Sequence, residues 1–185
     1  MKRLLIDMDD VICENGFIRM INEFLGTNYK SEDANSYYVN DLIPKDKFEE
    51  WVKFFEEKNV YDYVNIVKDA PEVIEKLNEF YDIYIITAYI FRDKPEISGS
   101  QLKNKFDYLT KNLPFIDPKK FIFLSDKALV DADIRIDDSV DKLKGKAEMK
   151  LLFTAYHNKN IADDELKEKK LTRVNSWKEI EKILL

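Results

Sequence analysis

Cysteine is nearly missing from this chain of 185 residues: Cys13 stands alone, so no disulfide can form within it. That usage fits a reducing compartment. Histidine is equally scarce, with His157 the sole example. Without a second histidine or a cysteine cluster there is no zinc-type ligand set. Four glycines and five prolines leave no linker-like stretch, and no internal repeat is visible. No G-x-x-x-x-G-K-[ST] phosphate loop occurs, which disfavours a P-loop kinase. Long hydrophobic runs are absent too. After Lys2 and Arg3 the apolar stretch is only Leu4-Leu5-Ile6 before Asp7, too short for a signal-peptide core or a membrane span. The expectation is a cytoplasmic protein with no membrane partner. Positive charge is not in excess either: 36 acidic residues face 30 basic ones, a net charge of −6. Binders of nucleic-acid polymers carry a basic balance or a basic stripe, so no such partner is expected. A small polyanion can still be met by local positive charge.

What is present reads as a globular α/β protein. Apolar residues make up 45% and charged residues 36% of the chain, a soluble composition, and the length suits one domain with a modest insertion. Five short apolar runs read as buried strands: Leu4–Ile6, Ile83–Ile86, Phe121–Leu124, Ile134–Ile136 and Lys150–Phe153. Several are continuous rather than alternating, which indicates burial on both faces of a parallel sheet. Helical patterns separate most of them. Asp69-Ala70-Pro71 marks a helix start with Val73, Ile74, Leu77 and Phe80 on one face, and Ser176-Trp177-Lys178-Glu179 is a capping-box signature. The interval after the first strand breaks the rhythm. There Phe17, Ile21, Phe24 and Leu25 share one helical face, and Phe48, Trp51, Val52 and Phe55 another. Gly26 ends the first of these helices, and Pro44 with Asp46 opens the next. The reading is a Rossmann-like parallel sheet flanked by helices, with a small helical cap inserted after the first strand. Residues 1–14 and 76–185 form the core and 15–75 the cap, and the stretch near Pro71 to Phe80 returns to the core layer.

Open parallel sheets bind ligands at the carboxyl ends of their strands. The first strand ends in Asp7-Met8-Asp9-Asp10, the second in Thr87, the third in Ser125-Asp126-Lys127, and the fourth in Asp137-Asp138-Ser139. Carboxylates, a hydroxyl and an ammonium thus reach one edge, a set that suits phosphoryl transfer. A carboxylate is ionised at neutral pH and can attack phosphorus without a general base. Because carboxylate and phosphate repel, a cation must lie between them, and Mg2+ is commonly held by one or two carboxylates plus phosphate oxygen. Lys127 adds positive charge, and Thr87 can donate to a phosphoryl oxygen. Asp9, two residues past Asp7, can address the leaving alcohol if it holds a proton.

In that order, Asp7-Met8-Asp9-Asp10-Val11, Thr87, Lys127 and Asp137-Asp138 resemble the four motifs of the haloacid dehalogenase superfamily, and the insertion resembles its small helical cap. More closely, the chain is similar to the 5′(3′)-deoxyribonucleotidases. Asp126 to Asp138 looks like that family's lysine-to-aspartate segment, Leu152 to Asn158 like its next strand and turn, and Ser176-Trp177 like the start of its C-terminal helix. The resemblance implies a magnesium-dependent phosphatase acting on nucleoside monophosphates. Asp7 would be nucleophile and metal ligand. Asp9 would be general acid/base and would ligate metal through its backbone carbonyl. Asp138 would be the third protein ligand, with Asp137 supporting it or reaching the metal through water. Thr87 and Lys127 would hold phosphate. Tyr37 and Tyr38 fall where the family has an aromatic pair that can stack on the base. There are departures: Asn15 stands where mammalian members place an aromatic residue, Ala88 where serine is common, and Phe91, beside Arg92, where a lysine touches phosphate.

Blander readings apply elsewhere. His157 is expected to have a structural role or to support the site rather than act as a base, Cys13 to be a small packing residue, and Lys103, Lys105 and Arg92 to solubilise a surface, with phosphate recognition the alternative for Arg92. Asp163 to Lys170 is expected to be exposed. Two other functions remain in view. One is a phosphatase for a sugar phosphate or another small monoester. The other is a phosphoryl-receiver switch, which needs a strand bearing its phosphorylated Asp between the acidic pair and the threonine. A homodimer is compatible with the sequence, which does not fix the oligomeric state.

Overall fold

The computed structural model describes residues 1–34, 39–91 and 94–185. In chain order its elements are β1 (Lys2–Ile6), β2 (Cys13–Glu14), α1 (Gly16–Leu25), α2 (Phe48–Glu56), β3 (Asn65–Ile66), α3 (Ala70–Leu77) and β4 (Tyr81–Thr87). They continue with α4 (Ser98–Asn112), β5 (Phe121–Phe123), β6 (Ile134–Asp137), β7 (Met149–Phe153), α5 (Asp163–Glu168), β8 (Thr172–Val174) and α6 (Trp177–Leu184).

All five apolar runs are strands of one six-stranded sheet in the order β5-β4-β1-β6-β7-β8, and every pairing in it is parallel. β1 lies inside the sheet, with Leu4 paired to Ile83 on one side and to Ile134 on the other. Leu4, Leu5 and Ile6 are buried, as are Ile83, Ile85 and Ile86 of β4. Burial on both faces is why these strands are continuously apolar. β8, an edge strand of three residues, was not anticipated. Only Val174 of it is buried, so it lacks an apolar run.

Helices complete the layers. Pro71 sits in the first turn of α3, where its missing N–H costs nothing. Val73, Ile74 and Leu77 of α3 are buried, and the helix packs against α6, where Lys76 reaches Glu181 at 2.9 Å. Phe80 does not continue that face. The helix stops at Leu77, and the following turn leaves Phe80 58% exposed. At the start of α6 the Ser176 hydroxyl accepts the Glu179 N–H at 3.2 Å. The Glu179 carboxylate accepts from the Asn175 N–H, one residue before the cap, so the reciprocal half of the box is shifted by one position. Leu166 is buried within α5, whose other residues are largely exposed.

Between β1 and β4 lie α1, α2, α3 and two short strands. β2 and β3 pair antiparallel, Cys13 with Ile66 and Glu14 with Asn65, and so close the base of the insertion. α1 ends where Gly26 takes a left-handed conformation, φ 66°, which glycine adopts freely. Aromatic rings fill the space between α1 and α2. Phe17 stacks on Phe55 at 5.6 Å, and Phe24 meets Trp51 edge-on at 5.6 Å. Each fully buried ring contributes about 1.5–3 kcal/mol. Two further pairs join the insertion to the sheet layer: Phe55 to Phe91, just past β4, at 4.9 Å, and Tyr61 to Tyr108 of α4 at 5.4 Å. Among the described residues, no strand of the large sheet falls between β1 and β4, which removes the topology a receiver switch requires. No helix among them is long and apolar enough to cross a membrane.

Candidate active site

The C-terminal ends of β4, β1 and β6 stand side by side, so their last residues converge. At the end of β1 the Asp7 N–H donates to the Ile136 carbonyl at 2.9 Å, and the chain then turns tightly. The Met8 carbonyl accepts from the N–H groups of Ile12 and Cys13 at 2.8 and 3.1 Å, and the Cys13 carbonyl accepts from Asp10 at 2.7 Å. Asp10 is left-handed, φ 56°, a conformation aspartate tolerates better than most residues. Met8, Val11 and Ile12 anchor the turn in the core. From the far end of the chain, the Trp177 indole N–H donates to the Val11 carbonyl at 2.8 Å. A fixed turn therefore carries Asp7, Asp9 and Asp10. Cys13 packs beneath it, and burial pushes its thiol well up.

Asp7 meets Asp137, the last residue of β6, and Asp138 just after it. One carboxylate oxygen of each lies within 4.8 Å of the others, and all three residues are buried. The Lys127 ammonium reaches Asp7 at 2.6 Å and Asp137 at 2.7 Å. Burial alone would lower the Lys127 pKa, but the two carboxylates hold it raised. Burial, then the Asp7 charge, pushes Asp137 up to about 6. Burial, then Asp137 and Asp7, pushes Asp138 well up. Partial burial, then the Asp9 and Asp7 charges, pushes the half-buried Asp10 up to about 7.

Asp138 is 1% exposed, and its Oδ1 has no hydrogen-bond partner. Its Oδ2 lies 2.6 Å from His157 Nε2, and its carbonyl accepts from Asn158 Nδ2 at 2.7 Å. Burial lowers His157 to about 4, so the ring is neutral at physiological pH and orients Asp138. A buried carboxylate oxygen without a donor costs about 1–3 kcal/mol. Three converging carboxylates, one of them with such an oxygen, fit a hard divalent cation that takes oxygen ligands.

A second cluster adjoins the first. Thr87, buried at the end of β4, accepts from Lys105 Nζ at 2.7 Å. The same ammonium ion-pairs with Asp9 Oδ2, and the Tyr61 hydroxyl donates to Asp9 Oδ1 at 2.9 Å. Lys105 therefore corrects the sequence reading: it is not a solubilising surface residue but is 5% exposed, inside the site. Its signal was periodicity. Ser98, Gln101, Lys105, Tyr108 and Leu109 form the buried face of α4, with the spacing of an amphipathic stripe, but Ser98, Gln101 and Lys105 are polar. Lys103, one step off that face, is exposed as expected. Of the residues singled out in the sequence, Asp7, Asp137 and Lys127 are in direct contact, Asp138 adjoins them, and Asp9 and Thr87 share one lysine. Tyr37, Tyr38 and Arg92 lie outside the described residues.

Known proteins share both sequence and fold with this chain. The family model described as 5′ nucleotidase, deoxy (pyrimidine), cytosolic type C protein matches residues 1–185. A Staphylococcus aureus strain Mu50 protein provisionally named 5′(3′)-deoxyribonucleotidase is 32% identical over 186 residues, covering 100% of this chain and 96% of the relative. A 5′(3′)-deoxyribonucleotidase of Bacillus subtilis strain 168 is 28% identical over 194 residues, covering 100% and 99%. Among solved structures, the Bacillus subtilis protein YfnB, provisionally named a HAD-hydrolase and bound to magnesium, superposes with a TM-score of 0.53. The identity is 15%, with 99% of this chain and 98% of that one covered. At that identity the likeness concerns the fold.

Proposed function

The chain belongs to the family of 5′ nucleotidase, deoxy (pyrimidine), cytosolic type C proteins, within the haloacid dehalogenase superfamily, and from that premise we propose that it is a magnesium-dependent phosphatase of (deoxy)nucleoside monophosphates working through an aspartyl-phosphate on Asp7. The observation that carries this reading is the buried contact of Asp7 with Lys127 and with the Asp137–Asp138 pair. A carboxylate held there is a nucleophile with countercharge already in place.

The residues divide the work as follows. Lys127 and Thr87 bind the phosphoryl oxygens, one by charge and one by hydrogen bond. Magnesium would be held by Asp7, Asp138 and the Asp9 carbonyl with Asp137 in support, and would supply positive charge against the phosphate. An Asp7 oxygen attacks phosphorus, the bond from phosphorus to the ester oxygen breaks, and the proton on Asp9 passes to the departing alcohol. A water then attacks the same phosphorus while Asp9 takes its proton, the bond from Asp7 to phosphorus breaks, and phosphate leaves with both carboxyl groups restored. Of residues 15–75, those before α3 act as a cap over this edge, where they exclude water and meet the nucleoside. Tyr37 and Tyr38 are assigned to the base. The lone cysteine supports a cytoplasmic setting.

The test is phosphate release from a panel of 5′- and 3′-(deoxy)nucleotides and sugar phosphates, with magnesium or with EDTA, for wild type and Asp7→Asn. Expected is magnesium-dependent release, highest on a nucleotide and abolished in the variant. No release from any substrate would overturn the phosphatase reading. Faster release from sugar phosphates would keep the chemistry and overturn the substrate.

A further inference from the structure

β6 stops at Asp137, still paired with Leu152 of β7, and Asp138 is the first residue beyond that ladder. Mg2+ demands near-ideal octahedral geometry, with oxygens at about 2.0–2.1 Å. A ligand carboxylate that swings at a frayed strand end would hold the ion poorly. Side chains take over where the ladder ends. Asn158 Nδ2 donates to the Asp138 carbonyl and to the carbonyl of Phe153, the last residue of β7, both at 2.7 Å. One amide therefore staples the two strand ends together. Its Oδ1 accepts from the Ala155 N–H and from Arg173 Nη1, each at 3.1 Å. Both hydrogens and both lone-pair positions of the amide are thus used, and the residue is 1% exposed, so it has a single orientation.

We infer that Asn158 and Arg173 are positioning residues that set the magnesium affinity of the site by holding Asp138, with β8 as the outer brace. The inference rests on the phosphatase reading, in which Asp138 ligates the ion. Arg173 lies at the middle of β8, paired with the same Leu152 that faces Asp137. Its Nη2 donates to the carbonyls of Asn158 and Ile161 at 3.2 and 3.0 Å, and its Nη1 also reaches Thr154 Oγ1 at 3.3 Å. Each of these acceptors, like Asn158 Oδ1, is a neutral oxygen of the turn that follows β7. The guanidinium serves here through its planar fork, which grips several acceptors at once, and not through an ion pair. The turn it grips brings two contacts to Asp138. Asn158 fixes the backbone, and His157 Nε2 lies 2.6 Å from Oδ2. Oδ1 is left buried and without a hydrogen-bond partner, as an oxygen kept for a cation would be. β8 thereby acquires a use. With only Val174 buried it adds little to the core, but it carries the guanidinium to the turn.

Magnesium binding, measured by calorimetry on the protein without substrate, separates positioning from folding. Arg173→Met, Arg173→Lys and Asn158→Ala are compared with wild type and with Leu166→Ala. The last opens a cavity in the apolar cluster of Leu143, Leu152, Leu166 and Leu171 without removing a donor. Losing a group that orients a metal ligand costs about 10–100-fold in metal affinity. Expected is a loss of about tenfold for Arg173→Met and about hundredfold for Asn158→Ala. Arg173→Lys should lose nearly as much as Arg173→Met, because a point charge on a flexible stem cannot hold the acceptors of a fork together. Leu166→Ala should melt at a lower temperature yet bind magnesium like wild type. In turnover, Arg173→Met should need more magnesium but reach nearly the wild-type kcat at saturation. Wild-type affinity in Arg173→Met, an equal loss in Leu166→Ala, or a kcat that saturating magnesium leaves low would overturn the inference. A wild type that binds magnesium but hydrolyses no ester would overturn the phosphatase reading, while the affinities still judge the brace. Should Asn158→Ala not fold, Arg173→Met decides alone, since it keeps the apolar stem of the side chain.

Discussion

Gly145→Ala, at a residue that touches no proposed catalytic group, should disturb the site through Arg135. The Arg135 side chain is buried, and its guanidinium holds the loop that presents Lys127. Nη1 donates to the Lys127 carbonyl at 3.1 Å, Nε to the Lys146 carbonyl at 3.4 Å, and Nη2 to the Val130 carbonyl. Gly145 lies against this group. A Cβ there would fall 2.5 Å from Arg135 Cζ, closer still to Nη2, and 3.1 Å from the backbone Cα of Ala128. The guanidinium cannot simply swing away, because its donors are committed and the site is buried. Overpacking costs about 1–3 kcal/mol, and a displaced hydrogen bond to a charged group about 1.5–3 kcal/mol. Alanine returns about 0.4–1 kcal/mol by restricting the unfolded chain. The net expectation is a destabilisation of about 3 kcal/mol, or a fall in Tm of about 6–12 °C for a domain of this size. Thermal and urea unfolding measure it. In an Arg135→Met background, where the obstruction is smaller and the donors are gone, the same substitution should cost less than about 1 kcal/mol. A Gly145→Ala protein that melts within about 2 °C of wild type would refute the argument.

Two other outcomes are expected. Without metal, stability should fall as pH rises. Asp137 and Asp10 are raised from 3.8 to about 6 and about 7, and Asp138 is raised as well. The folded state therefore keeps these protons longer than the unfolded one, and their contribution, complete below 3.8, is lost as pH climbs through about 7. His157 opposes this, since its lowered pKa removes stability as pH falls from 6.5 towards about 4. Magnesium should cancel the carboxylate repulsion, so the rise in Tm on adding it should be larger at pH 8 than at pH 5, and equal rises would count against three converging carboxylates as the binding site. Trp177→Phe keeps a buried ring but leaves the Val11 carbonyl without its donor. It should cost about 1–3 kcal/mol and slow phosphate release, and an unchanged Tm with unchanged release would show that the acidic turn does not need this tether.

The sequence was most legible where burial was complete. Leu4–Ile6, Ile83–Ile86 and Ile134–Ile136 are apolar throughout because neighbours cover both faces, and that also identifies the sheet as parallel. Once the strand ends are located, Asp7, Thr87, Lys127 and Asp137-Asp138 follow, since a parallel sheet gathers those ends on one edge. Legibility fails where a polar residue occupies a buried position for a reason outside its own helix. Lys105 looks like a surface residue because only Asp9 and Thr87, far away in the chain, explain its burial. Tyr61 gave no signal for the same reason. β8 has too few residues and too little apolar content to mark itself, and Phe80 was misplaced because periodicity continues past the point where the helix stops.

The inner position of β1 has a consequence for time. The strand that carries Asp7 emerges ahead of both its neighbours. Arg3 is bonded to Asp133 across 130 positions of chain, and the turn after β1 is tied to Trp177 across 166. At synthesis rates of about 5–20 residues per second, the turn waits roughly ten to thirty seconds for that last partner. The helices of the insertion, whose contacts are local, can form during the wait, whereas parallel pairings over such separations form slowly. The mutually repelling carboxylates after β1 and β6 thus cannot meet in a chain shorter than 138 residues.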